Sequence, residues 1–378
     1  MKFIVSSSEL LSSLSSINKV ISSKNTLPIL DNILFNLENN ILTLTASDME
    51  TTLSVTLPIN TVEREGAIAV PAKLLIDTLK EFPDQPLTIV IDTDTLMAEI
   101  TWATGIFRTP CSPADEYPQM QTIKESCNEL TIASEQLMEG ISKTIFATAD
   151  DELRPAMNGV FFDIKTDGLT FVASDAHKLV RFRLLTLQAE QDCSFILPKK
   201  PAIFLKGLLP KSGESINLKF DDRHAIFSSP NFSMSCRLIE GMFPAYNSVI
   251  PLDNPKKIVV DRLEFLAAIR RVSVFSSQAS NLIKLKIEGN NIDISAQDLD
   301  FSISANDKVA CKYENEDLEI GFKSTFLAEI LANIPSTEVS IELADSARAG
   351  LFIPVVDTDS EEITDDLLML LMPIVIGI

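Results

Sequence analysis

ILFNLENNILTLTASD, residues 33–48, is the stretch whose reading decides the fold. Apolar and polar residues alternate on either side of Asn39-Asn40, the pattern of two half-buried strands joined by a tight turn, and the second strand closes on a small-residue step into Asp48. The design returns as GVFFDIKTDGLTFVASD at 159–175 and as IKLKIEGNNIDISAQD at 283–298. The closing aspartates Asp48, Asp175 and Asp298 are 175 − 48 = 127 and 298 − 175 = 123 residues apart. A motif returning at so regular an interval marks tandem copies of one unit.

Two further landmarks keep the same interval. Ser7, Ser134 and Asp261 each precede an apolar-periodic stretch, and their side-chain oxygens suit the unpaired N–H groups of a helix start, with Asp261 and Glu264 reading as a capping box. Downstream of the hairpins, VPAKLLIDTLKEFP, LPKKPAIFLKGLLP and FKSTFLAEILANIP read as helices closed by Pro83, Pro210 and Pro335. The 378 residues therefore divide into three units, expected at 1–124, 125–249 and 250–378. Each has two helices and about eight strands by this reading. Hairpin connections, rather than strand–helix–strand crossovers, make the class α+β, with helices packed on antiparallel sheets.

Composition narrows the function. Hydrophobic residues form 46% of the chain and charged residues 22%, as in ordinary globular proteins, while 12 Gly and one Trp leave little for phosphate loops or stacking platforms. The N-terminus has no apolar segment of signal-peptide length, so residence in the cytoplasm is expected. Five scattered cysteines, Cys111, Cys127, Cys193, Cys236 and Cys311, form no C-x-x-C pair and read as reduced thiols. The apolar run Leu367 to Ile376 is about half a membrane span and reads as a buried strand. A net charge of −21 opposes general affinity for nucleic acid but leaves room for a local basic surface.

RPAMNGVFF, LTFVASDAHKLVRF, EGMFPAYNSVIP and the late LLMLLMP, together with TLPILDNILF and VPAKLLIDTLKEFP, resemble the bacterial DNA polymerase III β subunits, the sliding clamps, along the whole chain. The resemblance implies three domains of one fold, a head-to-tail homodimeric ring with helices lining a hole for double-stranded DNA, and no catalysis, cofactor or metal. The implied partners are a clamp loader, the replicative polymerase and other proteins carrying a clamp-binding motif. DNA contacts are then expected from cations on or beside the helices: Lys19, Lys24, Lys73, Lys80, Lys143, Arg154, Lys199, Lys200, Lys206, Arg270 and Arg271. Lys73 and Lys80, like Lys199 and Lys206, are seven residues apart and share a helix face. Phosphate contacts of this kind carry no base information and permit sliding.

The resemblance also implies a partner-peptide cleft between the second and third domains. Its residues would be Met157, Ser174, Ala176, His177, Lys178, Leu179, Pro244, Ser248, Val249, Phe326, Ser346, Leu370, Leu371, Met372, Pro373 and Ile374. Lys178 and Ser248 stand where the family commonly has Arg, Ala176 where it has Gly, and Phe326 where it has Tyr. The tail IVIGI after Pro373 is longer than usual and lacks the usual basic residue.

Other readings are weaker. His177 beside Ser174 and Asp175 lacks a G-x-S-x-G elbow, and a metal site at Asp48, Asp175 and Asp298 would need ligands from three separate units. A tandem β-rich adhesion scaffold without a DNA role would explain the repeats and the acidity, but it requires export.

Overall fold

Helix α1 (Ser7–Ile17) is capped by Ser6, whose hydroxyl accepts the Glu9 N–H at 3.3 Å, so the cap lies one residue before the expected Ser7. Ser7 instead ties the helix start down, its N–H donating to the Gln85 carbonyl at 2.9 Å and its Oγ to the Pro83 carbonyl at 3.0 Å. Ser134 likewise lies inside its helix, α3 (Ser134–Thr144), with its N–H on the Glu214 carbonyl at 2.9 Å and its Oγ on the Pro210 carbonyl. In the third copy Asp261 caps α5 (Arg262–Ser273) as expected, accepting the Glu264 N–H at 2.8 Å. Arg262 takes over the tie, with its N–H on the Thr337 carbonyl at 2.9 Å and its Nε on the Ser336 carbonyl at 2.7 Å.

Every repeat thus fastens the start of its first helix to the chain just past its second. Those second helices are α2 (Ala72–Lys80), α4 (Lys199–Leu208) and α6 (Ser324–Asn333). They stop two or three residues before Pro83, Pro210 and Pro335, because proline disfavours helical backbone in the residue before it and has no N–H to donate.

The computed structural model describes all residues except 23, 24, 26, 121, 122, 124–126, 188, 212, 356–363, 377 and 378. Two compact units result, Met1–Met138 with Lys200–Leu238, and Glu139–Lys199 with Ile239–Ile378. In the first unit the 33–48 hairpin pairs Asn32–Glu38 with Ile41–Ser47, Phe35 facing Leu44. Its eight-stranded antiparallel sheet runs Asn128–Ala133, Ser215–Phe220, His224–Ser228, Phe232–Arg237, Thr51–Pro58, Ile41–Ser47, Asn32–Glu38, Gly66–Pro71. Strands of the first and second repeats share this sheet, joined where Met234 faces Leu53. A five-stranded sheet, Thr61–Arg64, Lys2–Ser6, Pro86–Asp92, Met97–Trp102 and Gly105–Pro110, completes the unit. Leu10, Leu14 and Ile17 of α1 are fully buried, as a one-sided apolar helix stripe requires.

The second unit holds a twelve-stranded sheet. Its order is Cys193–Pro198, Gly159–Lys165, Gly168–Ser174, Lys178–Leu184, Asp365–Leu371, Gly350–Pro354, Glu338–Leu343, Lys256–Asp261, Ile303–Lys312, Asn291–Asp298, Leu282–Glu288, Leu318–Lys323. Here the second and third repeats join, Val180 facing Met369. Phe162, Phe171, Phe182, Phe265, Phe322 and Phe352 are fully buried. Helix α3 lies so close to this layer that a Cβ on Gly140 would come within 2.4 Å of the Phe171 ring. The expected strand over 367–376 is shorter: it ends at Leu371, and beyond it Ile374 makes only an isolated bridge, to Gly321.

Candidate functional site

The Ser174–Lys178 turn is built by its own side chains. Asp175 Oδ1 accepts the His177 and Lys178 N–H groups at 2.9 and 2.8 Å, and Ser174 Oγ donates to the Lys178 carbonyl at 2.9 Å. Asp48 does the same for Glu50 and Thr51, at 3.1 and 2.7 Å, and Asp298 accepts the Asp300 N–H at 3.0 Å. The repeated aspartate is therefore a turn-former, an aspartate side chain standing in for a backbone carbonyl. Ala176 sits in the left-handed region at φ 72°, as does Met49 at φ 77° in the first copy.

Lys178, named among the expected cleft residues, is nearly buried. Its side chain is only 5% exposed, and Nζ lies 3.1 Å from Asp175 Oδ2 and 2.7 Å from Glu329 Oε2. The same ammonium is 4.3 Å from the centre of the Phe326 ring, which Lys323 Nζ also approaches, at 4.4 Å. His177 stacks against Phe326 with 5.9 Å between ring centres. Glu329 and Lys323 were not among the expected residues. Only the fold reveals them, since 151 residues separate Lys178 from Glu329.

Leu179 and Leu370 belong to a buried cluster with Val172, Phe243, Tyr246 and Leu351, and Leu371 is fully buried. Beside it the 239–250 loop is pinned by two aromatics. Phe243 stacks on Phe161 at 4.7 Å, and Tyr246 Oη donates to Asp163 Oδ2 at 2.7 Å, burial and then Asp163 pushing its phenol up to about 12. This anchoring leaves Pro244, Ser248 and Val249 exposed. Met157 is half-buried, its N–H on the Arg154 carbonyl at 3.0 Å. Ser346 is exposed in a turn where Asp345 accepts the Ala347 and Arg348 N–H groups, bonds that hold the Asp345 carboxyl below the usual range. Past the last strand, the Met372 N–H donates to the His177 carbonyl and the Ile374 N–H to the Gly321 carbonyl, both at 2.8 Å. The expected cleft residues thus split into a buried set (Ser174, Lys178, Leu179, Leu370, Leu371) and an accessible set.

The expected DNA-contacting cations also split. Lys80 pairs with Asp77 at 3.1 Å, Arg154 with Asp151 at 2.8 Å, Lys200 with Asp48 at 2.7 Å and Arg271 with Asp307 at 2.7 Å. Lys143 is half-buried, and desolvation lowers its pKa against the opposing pull of Glu139 one turn earlier. Lys19, Lys73, Lys199, Lys206 and Arg270 form no ion pair with a described residue, and Lys24 lies outside the described residues. Among the described residues no three of His, Cys, Asp or Glu gather to hold a metal.

Comparison with known proteins agrees with this architecture. Family models for the DNA polymerase III beta subunit match in tandem: the N-terminal domain at residues 1–121, the central domain at 131–245 and the C-terminal domain at 247–367. The beta sliding clamp of Synechococcus elongatus is 29% identical over 365 residues, covering 94% of this chain and 96% of that protein. A crystal structure of a sliding clamp from Bartonella birtlesii bound to griselimycin superposes with a TM-score of 0.91 at 30% identity, both chains fully covered. One from Pseudomonas aeruginosa with a ligand gives a TM-score of 0.91 at 26% identity, again over the whole of both chains. Nothing in these likenesses favours the adhesion scaffold. With three tandem α+β domains, each matching its own part of one family in order, the chain belongs to the DNA polymerase III beta subunit family, the sliding clamps.

Proposed function

We infer that this chain is a DNA polymerase processivity factor, a non-enzymatic clamp that holds the replicative polymerase and other replication proteins on duplex DNA. The observation that carries the reading is the ordered match of three clamp domains, joined with a full-length likeness to solved sliding clamps. In this reading domains end at 124 and 249, two copies close head to tail around the duplex, and the protein works in the cytoplasm. No described helix is long and apolar enough to cross a membrane. Lys19, Lys73, Lys199, Lys206 and Arg270, which form no ion pair with a described residue, supply phosphate contacts without base readout. The rim of Met157, Pro244, Val249, Phe326, Met372 and Pro373, over the floor of Leu179 and Leu370, receives the apolar end of a partner's peptide. Adaptable methionines suit such a surface.

The test is primer extension on a long singly primed template with the cognate loader and polymerase. The chain is expected to lengthen products per binding event by at least tenfold. Unchanged product lengths, with the loader and polymerase shown to be active, would overturn the reading.

A further inference from the structure

The tail beyond the last strand is tied down at two points. Met372 N–H donates to the carbonyl of His177, in the turn that precedes Lys178–Leu184, and two residues later Ile374 N–H donates to the carbonyl of Gly321, each at 2.8 Å. Gly321 belongs to Leu318–Lys323, the outermost strand of the twelve-stranded sheet, which pairs with Leu282–Glu288 on one side only. Its other edge carries an isolated antiparallel bridge to Ile374. That edge is shaped for the tail. A Cβ on Gly321 would lie 2.8 Å from the Ile374 carbonyl oxygen and 2.9 Å from Ile376 Cγ1, separations that real Cβ atoms do not tolerate.

We propose that Gly321 and Ile374 are positioning residues of the partner-peptide cleft, a backbone clasp that holds Met372 and Pro373 between two fixed points so that the rim is already in its binding shape. The proposal rests on the peptide-cleft reading above. A rim segment pinned at His177 and at Gly321 loses little freedom when a peptide arrives, and pre-ordering of this kind strengthens binding without any new contact. Apolar Ile374 and Ile376 have a physical role in this arrangement: they lie against the sheet edge, where a strongly hydrated charge would lose contact with water.

Calorimetry with the full-length protein and a polymerase-derived peptide ending in a Leu-Phe-type pair tests the clasp. Ile374→Pro removes the N–H that reaches Gly321, whereas Ile374→Ala keeps it. The Pro variant is expected to bind at least tenfold more weakly and the Ala variant within threefold of the parent, with both melting temperatures unchanged. A role confined to folding would instead shift the melting temperature and leave affinity alone. Gly321→Ala is expected to reproduce the Pro result; since Leu282 Cδ1 also lies 2.9 Å from that Cβ, Ile374→Pro is the deciding variant. Equal affinity of parent and Ile374→Pro overturns the clasp. If the parent itself fails to bind the peptide, it is the cleft reading that falls.

Discussion

Ala176 holds a left-handed backbone at φ 72°, which costs a residue with a Cβ about 1–2 kcal/mol and costs glycine almost nothing. A glycine here would hold the same geometry without that cost. Part of the benefit is returned through the greater freedom of glycine in the unfolded chain, so Ala176→Gly is expected to stabilise the protein by about 0.5–1 kcal/mol, read as a higher denaturant midpoint at unchanged slope. Asp175 and Asp48 build equivalent turns but hold different cations: the Lys178 side chain is 5% exposed and that of Lys200 54%. Removing a carboxylate beside a buried ammonium costs more than removing one beside a solvated ammonium. Asp175→Ala should therefore lose about 2–3 kcal/mol and Asp48→Ala about 1 kcal/mol, the difference being the part due to the buried cation. Equal losses in denaturant unfolding would mean that Glu329 alone satisfies Lys178.

At the level of helices and strands, the hairpins and the six α-helices among the described residues were legible because period-two and period-3.6 patterns are local properties of the chain. Ser6 illustrates the limit: three serines run together from Ser6 to Ser8, and composition alone does not say which one caps and which one ties α1 to the Pro83 carbonyl. Less legible still were the pairings of Phe232–Arg237 with Thr51–Pro58 and of Lys178–Leu184 with Asp365–Leu371, since strand partners far apart in sequence leave no local mark. Burial of Lys178 depends on such a pairing, and so does the seat of the tail on Gly321. Charge on the helices was legible as residue type but not as availability. Lys73 and Lys80 share a face of α2, yet Lys80 is held by Asp77 at 3.1 Å while Lys73 pairs with no described residue. A cation that neutralises a phosphate contributes about −0.9 to the slope of log affinity against log salt. Lys73→Gln is thus expected to flatten that slope by about 0.9 on any DNA sequence and Lys80→Gln by distinctly less, measured as DNA association between about 50 and 200 mM salt. Identical changes, or a dependence on sequence, would contradict phosphate contact by the unpaired set.

At the scale of the whole molecule, copies are expected to join through exposed apolar surfaces. In the Glu139–Lys199 and Ile239–Ile378 unit, Val274 just beyond α5 is 74% exposed and Phe301 after the Asp298 turn 75%. In the Met1–Met138 and Lys200–Leu238 unit, Leu74 on α2 and Ile106 on the last strand of the five-stranded sheet are about half exposed. Large apolar side chains standing in water on a protein of net charge −21 suit burial against another copy. A head-to-tail joint sets one of these surfaces against the other, so each protomer uses two unlike faces and the closed dimer contains two identical joints. Light scattering should give twice 41.6 kDa for the parent. Val274→Glu with Phe301→Glu damages one face and Leu74→Glu with Ile106→Glu the other, and each double variant alone should run as a 41.6 kDa monomer. Mixed, the two retain one intact pair of faces and should recover dimeric mass through a single joint. That dimer cannot close, so it should slip from circular DNA that retains the parent. A two-fold interface of like faces predicts the opposite, because every mixed pair would then meet a damaged surface, and failure of the mixture to dimerise would exclude the head-to-tail arrangement.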